Sequence, residues 1–124
     1  MPTSQEVDFT TSPARSSNTV LIDISVDNDL SSVADIGGDT LVGLVLPSNY
    51  TTAAITFQVS IDNSTFVALY NQSGQVTIAA TEAVASRAVA LDPTDWHGWR
   101  YIQIATGTAQ TSDDKTITLI TRPL

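Results

Sequence analysis

The chain has 124 residues and a mass of 13.2 kDa, with 42% hydrophobic residues and a mean hydropathy of +0.09, which fits one soluble globular domain and excludes a multidomain enzyme. It contains no cysteine, so disulfides, thiolate metal sites and cysteine nucleophiles are excluded. Thirteen acidic against five basic residues give a net charge of −8, which opposes binding along a phosphate backbone or an anionic membrane surface.

Residues 1–18 form a Ser/Thr/Pro-rich stretch in which Val7 and Phe9 are the only sizeable apolar side chains after Met1. Such a segment cannot offset its ordering entropy by burial. It reads as an extended arm, lying either on its own domain or a neighbouring molecule, or across a biological partner that orders it. No basic start followed by an apolar stretch marks a secretory signal, and no apolar run approaches the roughly 20 residues that span a bilayer. The Asn49, Asn63 and Asn71 triplets of glycosylation type are therefore taken as chance in a chain rich in Ser and Thr.

From residue 19 the period is two. Ile22, Ile24 and Val26 alternate with Asp23, Ser25 and Asp27, which predicts a strand with one buried face. A loop follows from Asn28 to Asp39, closed by Gly37-Gly38. Thr40 to Leu46 is apolar on both faces and stopped by Pro47, so a central, doubly covered strand with a bulge at Gly43 is expected. Ile55, Phe57, Val59 and Ile61 point one way along the clearest strand, and Asp62-Asn63-Ser64 supplies a turn into a returning strand, Thr65 to Tyr70. Asn71 to Gly74 makes the next turn and Gln75 to Ala79 alternates again. Thr81 to Leu91 fits both helical and strand spacing, and the strand is chosen for Arg87 to Leu91. Asp92-Pro93 ends it. Tyr101 to Ala105 and Lys115 to Thr121 are the last strands. About eight short strands without a confident helix predict an all-β fold: a two-sheet antiparallel β-sandwich over 19–124, of jelly-roll type, preceded by the arm.

Three pieces then carry a resemblance. Phe57 to Phe66 resembles the Ser-x-Asp-Gly hairpin of galactose-binding-like or discoidin-like jelly rolls, with Asn63 and Phe66 in place of the usual Gly and Trp. Trp99 to Ile104 resembles the Arg-Tyr-Ile-x-Ile strand of the same domains, and Thr116 to Ile120 the closing strand. With Ala90 to Pro93 and Gly98 to Tyr101, the ensemble resembles small structural proteins of tailed bacteriophages, in particular capsid decoration (cement) proteins. That resemblance implies a non-enzymatic virion protein, assembled in the host cytoplasm, often a homotrimer, whose partners are the major capsid protein and neighbouring copies of itself. Val7, Phe9 and Arg15 are then the arm's expected contact residues. No nucleic-acid or membrane partner and no cofactor are expected.

The candidate sites are few. His97 is the single histidine, so a multi-histidine metal centre is excluded; with no nucleophile elbow nearby it is read as a loop residue. Trp96, Trp99 and Tyr101, with Asp95 and Arg100, offer flat apolar faces and hydrogen-bonding groups for a sugar, which is the alternative reading: a carbohydrate-binding module of a phage tail or fibre. Aromatics near a strand end more often fill the core, and Trp96 is the one of the set most expected at the surface. Asp27 and Asp29, with Asp35 and Asp39 in the same loop, are hard oxygen donors of the kind calcium takes, weighed against a solvated acidic loop. Gly37-Gly38 lacks the Gly-Lys-Ser/Thr continuation of a phosphate loop, and Asp92 and Asp95 are not argued as an acid/base pair.

Overall fold

The computed structural model of the protein describes residues 17–124. The predicted arm, with Val7, Phe9 and Arg15, therefore lies outside the described residues but for its last two. Eleven strands follow: β1 (Asn18–Ile24), β2 (Ala34–Asp35), β3 (Asp39–Val45), β4 (Ile55–Ser60), β5 (Val67–Ala68), β6 (Tyr70–Asn71), β7 (Gly74–Gln75), β8 (Thr77–Ile78), β9 (Ala88–Ala90), β10 (Tyr101–Thr106) and β11 (Lys115–Pro123). One sheet has the order β1-β11-β3-β9. The other runs β2-β10-β4-β5, with β8 also pairing β4, and β6 and β7 form a small hairpin of their own. All pairings are antiparallel. The two sheets pack face to face, an all-β sandwich as the period-two pattern predicts.

Alternation decides which side chains meet in the middle. Ile22 and Ile24 from β1, Ile117 and Leu119 from β11, Leu41 and Leu44 from β3 line one sheet; Ile55, Phe57 and Val59 from β4, Ile102 and Ile104 from β10 line the other, all essentially without solvent contact. Lys115 opens β11 on the inner face, its stem buried opposite Ile24 and its Nζ donating to the Thr111 carbonyl at 2.6 Å. The buried Gln110 donates to the Thr51 carbonyl and accepts from the Thr51 N–H, both at 2.9 Å, which ties two loops together.

The bulge expected at Gly43 falls one residue earlier, and it, rather than cover on both faces, accounts for the double-sided apolar run in β3. The register against β11 jumps from Gly43 to Leu41, so Val42 is an extra residue in a bulge. The bulge resets the alternation and lets Leu41 and Leu44, three apart, both face the core. Among the described residues no second layer covers the outer face, where Val45 is 39% exposed. At Gly43 a side chain has no room: a Cβ there would stand 2.9 Å from the Val89 carbonyl oxygen of β9.

Strand ends also depart from expectation. Val26 lies beyond β1, in a turn where Asp27 takes φ +68°. Ile61 is 73% exposed because the strand stops at Ser60. The buried Ser60 Oγ accepts from the N–H groups of Asp62 and Asn63, and Asp62 Oδ1 accepts from those of Ser64 and Thr65, so the turn begins one residue early. The alternating stretch Gln75 to Ala79 is broken into β7 and β8, since Val76 N–H turns aside to the Leu69 carbonyl. The loop Asn28 to Asp39 holds one short strand, β2, held by β10.

Candidate functional site

The aromatic segment is built from a capped turn. Asp92 Oδ1 accepts from the backbone N–H and the hydroxyl of Thr94, at 3.0 and 2.8 Å, and Pro93 starts a single 3-10 turn, Pro93–Trp96. The Thr40 hydroxyl donates to the Pro93 carbonyl at 2.7 Å and fastens the turn to β3. The two Thr94 bonds lower the Asp92 carboxyl below the ordinary carboxylate range, the hydroxyl first. Anchored in this way, the turn aims Trp96 inward. Its side chain is fully buried and packs edge to face on Phe57. Trp96 is therefore not the surface residue of the set; the Asp92 cap and the Thr40 bond, between residues 53 apart, put it in the core. Its Nε1–H is buried without a hydrogen-bond partner among the described residues.

Gly98, at φ +90°, turns the chain back out. Trp99 is half-buried against the rim of the core and Arg100 is exposed. The Arg100 guanidinium meets Asp35 through two bonds, 2.8 and 2.9 Å, and lies over the Tyr101 ring with 5.0 Å to the centroid. Asp35 also accepts from the Gly37 N–H at 2.9 Å. The Arg100 hydrogen bonds, then the Gly37 bond, hold the Asp35 carboxyl below its usual range, and the same pair raises Arg100.

This ion pair borders a shallow cleft of about 140 Å³, with Gly37, Gly38 and Asp39 on one side and Gly98, Trp99 and Arg100 on the other. Of the five residues grouped from the sequence, Trp99 and Arg100 line the cleft and Tyr101 lies under Arg100. Asp95 is instead bonded by Asn71 Nδ2 at 3.4 Å. The sequence reading missed the role of Asp35 and of the Gly37-Gly38 turn, because the Asp35–Arg100 pair joins positions 65 apart and leaves no local signal. His97 is exposed in its turn.

The acidic loop is dispersed by the fold. Asp35 goes to Arg100, and Asp39 accepts from Asn18 Nδ2 and the Thr121 hydroxyl. Among the described residues no three His, Cys, Asp or Glu side chains come together as a metal site, so Asp27 and Asp29 are not assembled into one. No helix among them is long and apolar enough to cross a membrane.

Comparison with solved structures brings a match over most of the sandwich. The chain shares its fold with the SPBc2 prophage-derived protein YomS. The two superpose with a TM-score of 0.52 at 13% identity, covering 85% of this chain and 93% of YomS. No protein-family model and no curated protein sequence matches the chain. At such identity the likeness is one of fold, and function has to be argued from the surface.

Proposed function

We propose that this protein is a non-enzymatic structural component of a phage virion, a jelly-roll decoration or cement subunit that binds the major capsid protein and stabilises the head. The observation that supports it is the match to a prophage-derived protein along 93% of that chain: the sandwich fold is one that a prophage-derived protein also has. The surface favours the same reading. A cleft of about 140 Å³ is well below the roughly 300–1,000 Å³ of typical small-molecule sites, so recognition by an extended surface suits this domain better than enclosure of a ligand. The mechanism is mass action. A subunit that binds the assembled shell and not its dissociated parts lowers the free energy of the shell at every occupied site. Val7, Phe9 and Arg15 of the leading segment extend the contact.

The test is co-sedimentation of the full-length protein, and of a version lacking residues 1–17, with tail-free phage heads. Saturable binding at fixed stoichiometry that weakens strongly on deletion, with the circular dichroism of the domain retained, is expected. Absence of binding to heads would overturn the proposal.

The glycan reading now rests on Trp99 alone among the tryptophans, because it borders the cleft beside Arg100. A saturable change in tryptophan fluorescence on glycan titration, lost in Trp99→Ala, is its discriminating result.

A further inference from the structure

The outer face of the four-stranded sheet is built from Thr, aliphatic side chains and two charges. Strand alternation and register place Thr19, Leu21 and Asp23 of β1 and Thr116, Thr118, Ile120 and Arg122 of β11 on it, followed by Val45 of β3 and Ala88 and Ala90 of β9. One row across all four strands reads Leu21, Thr118, Val45, Ala88. Leu21 is 64% exposed, the most exposed large apolar residue inside a described strand. In a chain of net charge −8, the rows between Asp23 and Arg122 present no charged side chain. The two charges stand at opposite ends of the face and have opposite signs. Asp23 takes a hydrogen bond from the Thr116 hydroxyl at 2.8 Å, and neither it nor Arg122 enters an ion pair among the described residues.

We infer that this face pairs with the same face of a second copy about a two-fold axis near Leu119, which brings Asp23 of each copy to Arg122 of the other. The charge pattern selects the occupant. Two copies at −8 repel, and of the ways they can meet, an uncharged centre with complementary ends opposes association least. A two-fold axis between the ends turns each carboxylate onto the partner's guanidinium, and a face that carries its own complement fits another copy of itself. Thr, Val, Ile, Leu and Ala side chains also suit the interdigitation of sheets stacked about 10 Å apart. Four strands at about 4.8 Å spacing and about 20 Å of strand give roughly 400 Å² per copy, or about 800 Å² for a pair before side-chain relief is counted. Stable complexes bury about 1,200–2,000 Å², so the pair is weak in free solution and forms where copies are concentrated, as on a surface they share. The pairing does not depend on the capsid reading, and its two-fold stoichiometry separates it from the three-fold association that the resemblance implies.

The test is sedimentation velocity of the full-length chain from about 10 μM to 1 mM, the range where an interface of this size associates. A monomer–dimer equilibrium is expected. Leu21→Glu puts a carboxylate at the centre and should weaken it about tenfold or more, and Arg122→Glu should weaken it several-fold. The double variant Asp23→Arg/Arg122→Glu exchanges the ends and should restore dimerisation to within about twofold of the parent. Circular dichroism and melting of each variant establish that the exposed substitutions leave the fold intact. A monomer throughout, a trimer, a dimer indifferent to Leu21→Glu, or a double variant no better than Arg122→Glu each overturns the inference. A variant that unfolds is replaced by Val45→Glu, which tests the same central row.

Discussion

The ring of Phe57 and the indole of Trp96 meet edge to face inside the core, their centroids 4.7 Å apart and their planes at 83°. Phe57 comes from the middle of β4 and Trp96 from the capped 3-10 turn after β9, so the contact fastens a loop to the sheet opposite β3. Both side chains are completely buried.

Trp96→Ala is therefore expected to cost about 3–5 kcal/mol, the range for emptying a buried aromatic site. Trp96→Phe should cost clearly less, because it also removes a buried N–H that has no acceptor among the described residues, and such a group is a burden of about 1–3 kcal/mol. Urea denaturation read by circular dichroism measures both. A Trp96→Ala protein within 1 kcal/mol of the parent, a deviation of about the error of comparison, would contradict the packing described.

Gly43 and Gly38 make opposite predictions from the same substitution. A Cβ at Gly43 would press on the Val89 carbonyl, a backbone atom fixed by the β3–β9 ladder, and Gly43→Ala should destabilise by about 1–3 kcal/mol. At Gly38 nothing lies within 4 Å and φ is not positive, so Gly38→Ala should be neutral or stabilise by up to about 1 kcal/mol through the unfolded chain. Melting temperatures of the two variants should fall on opposite sides of the parent, or the Gly38 variant on it.

Acid should loosen the surface turns. The Thr65 and Ser64 N–H groups, then the Ser60 hydroxyl, hold Asp62 below the ordinary carboxylate range; Asp35 and Asp92 are lowered in the same direction by Arg100 and Thr94. A depressed folded pKa means stability that is complete above the unfolded value, about 3.9 for Asp, and lost as pH falls through the folded one. Asp62→Ala should therefore melt lower than the parent at pH 7 and converge on it as pH drops below about 4, the unfolded carboxylate value. A gap between the two that stays constant with pH would exclude the ionised carboxylate as its source.

Alkali acts through a different group. Tyr50 is buried, its hydroxyl donates to the Ala53 carbonyl at 2.9 Å, and burial pushes its pKa up to about 12. A raised folded pKa on this acid contributes stability below the unfolded value, about 10, which disappears as pH rises through about 12. Tyr50→Phe should cost about 1 kcal/mol at neutral pH for the lost hydrogen bond and lose less than the parent above pH 10. Urea midpoints at pH 7 and above pH 10 decide it, the unfolded tyrosine value dividing the two regimes.

Much of the sandwich was legible because alternation is enforced by burial. Ile22 and Ile24, Ile55, Phe57 and Val59, and Ile102 and Ile104 all face inward as their spacing predicts. What the sequence concealed was set by contacts between distant residues. Trp96 goes inward only because Thr40 holds Pro93. Of the sugar-binding set, Trp99 and Arg100 reach the cleft, while Asp35, which fixes Arg100, is identified only when β2 lies beside β10. Ile61 was misplaced by a strand pattern that Ser60 and Asp62 end with side-chain bonds of their own.

The pairing of β1 with β11 constrains how the chain can be made. Asp23 and Thr116, bonded across that ladder, are 93 positions apart. At about 5–20 residues per second, residues 18–24 wait roughly 5–20 s on the ribosome before their partner strand exists. During that time Ile22 and Ile24 have no sheet to enter, and β3 lacks the neighbour that separates it from β1. The four-stranded sheet therefore closes only after translation has passed β11, and in a nascent chain stalled before residue 115 the emerged β1 segment should be open to protease.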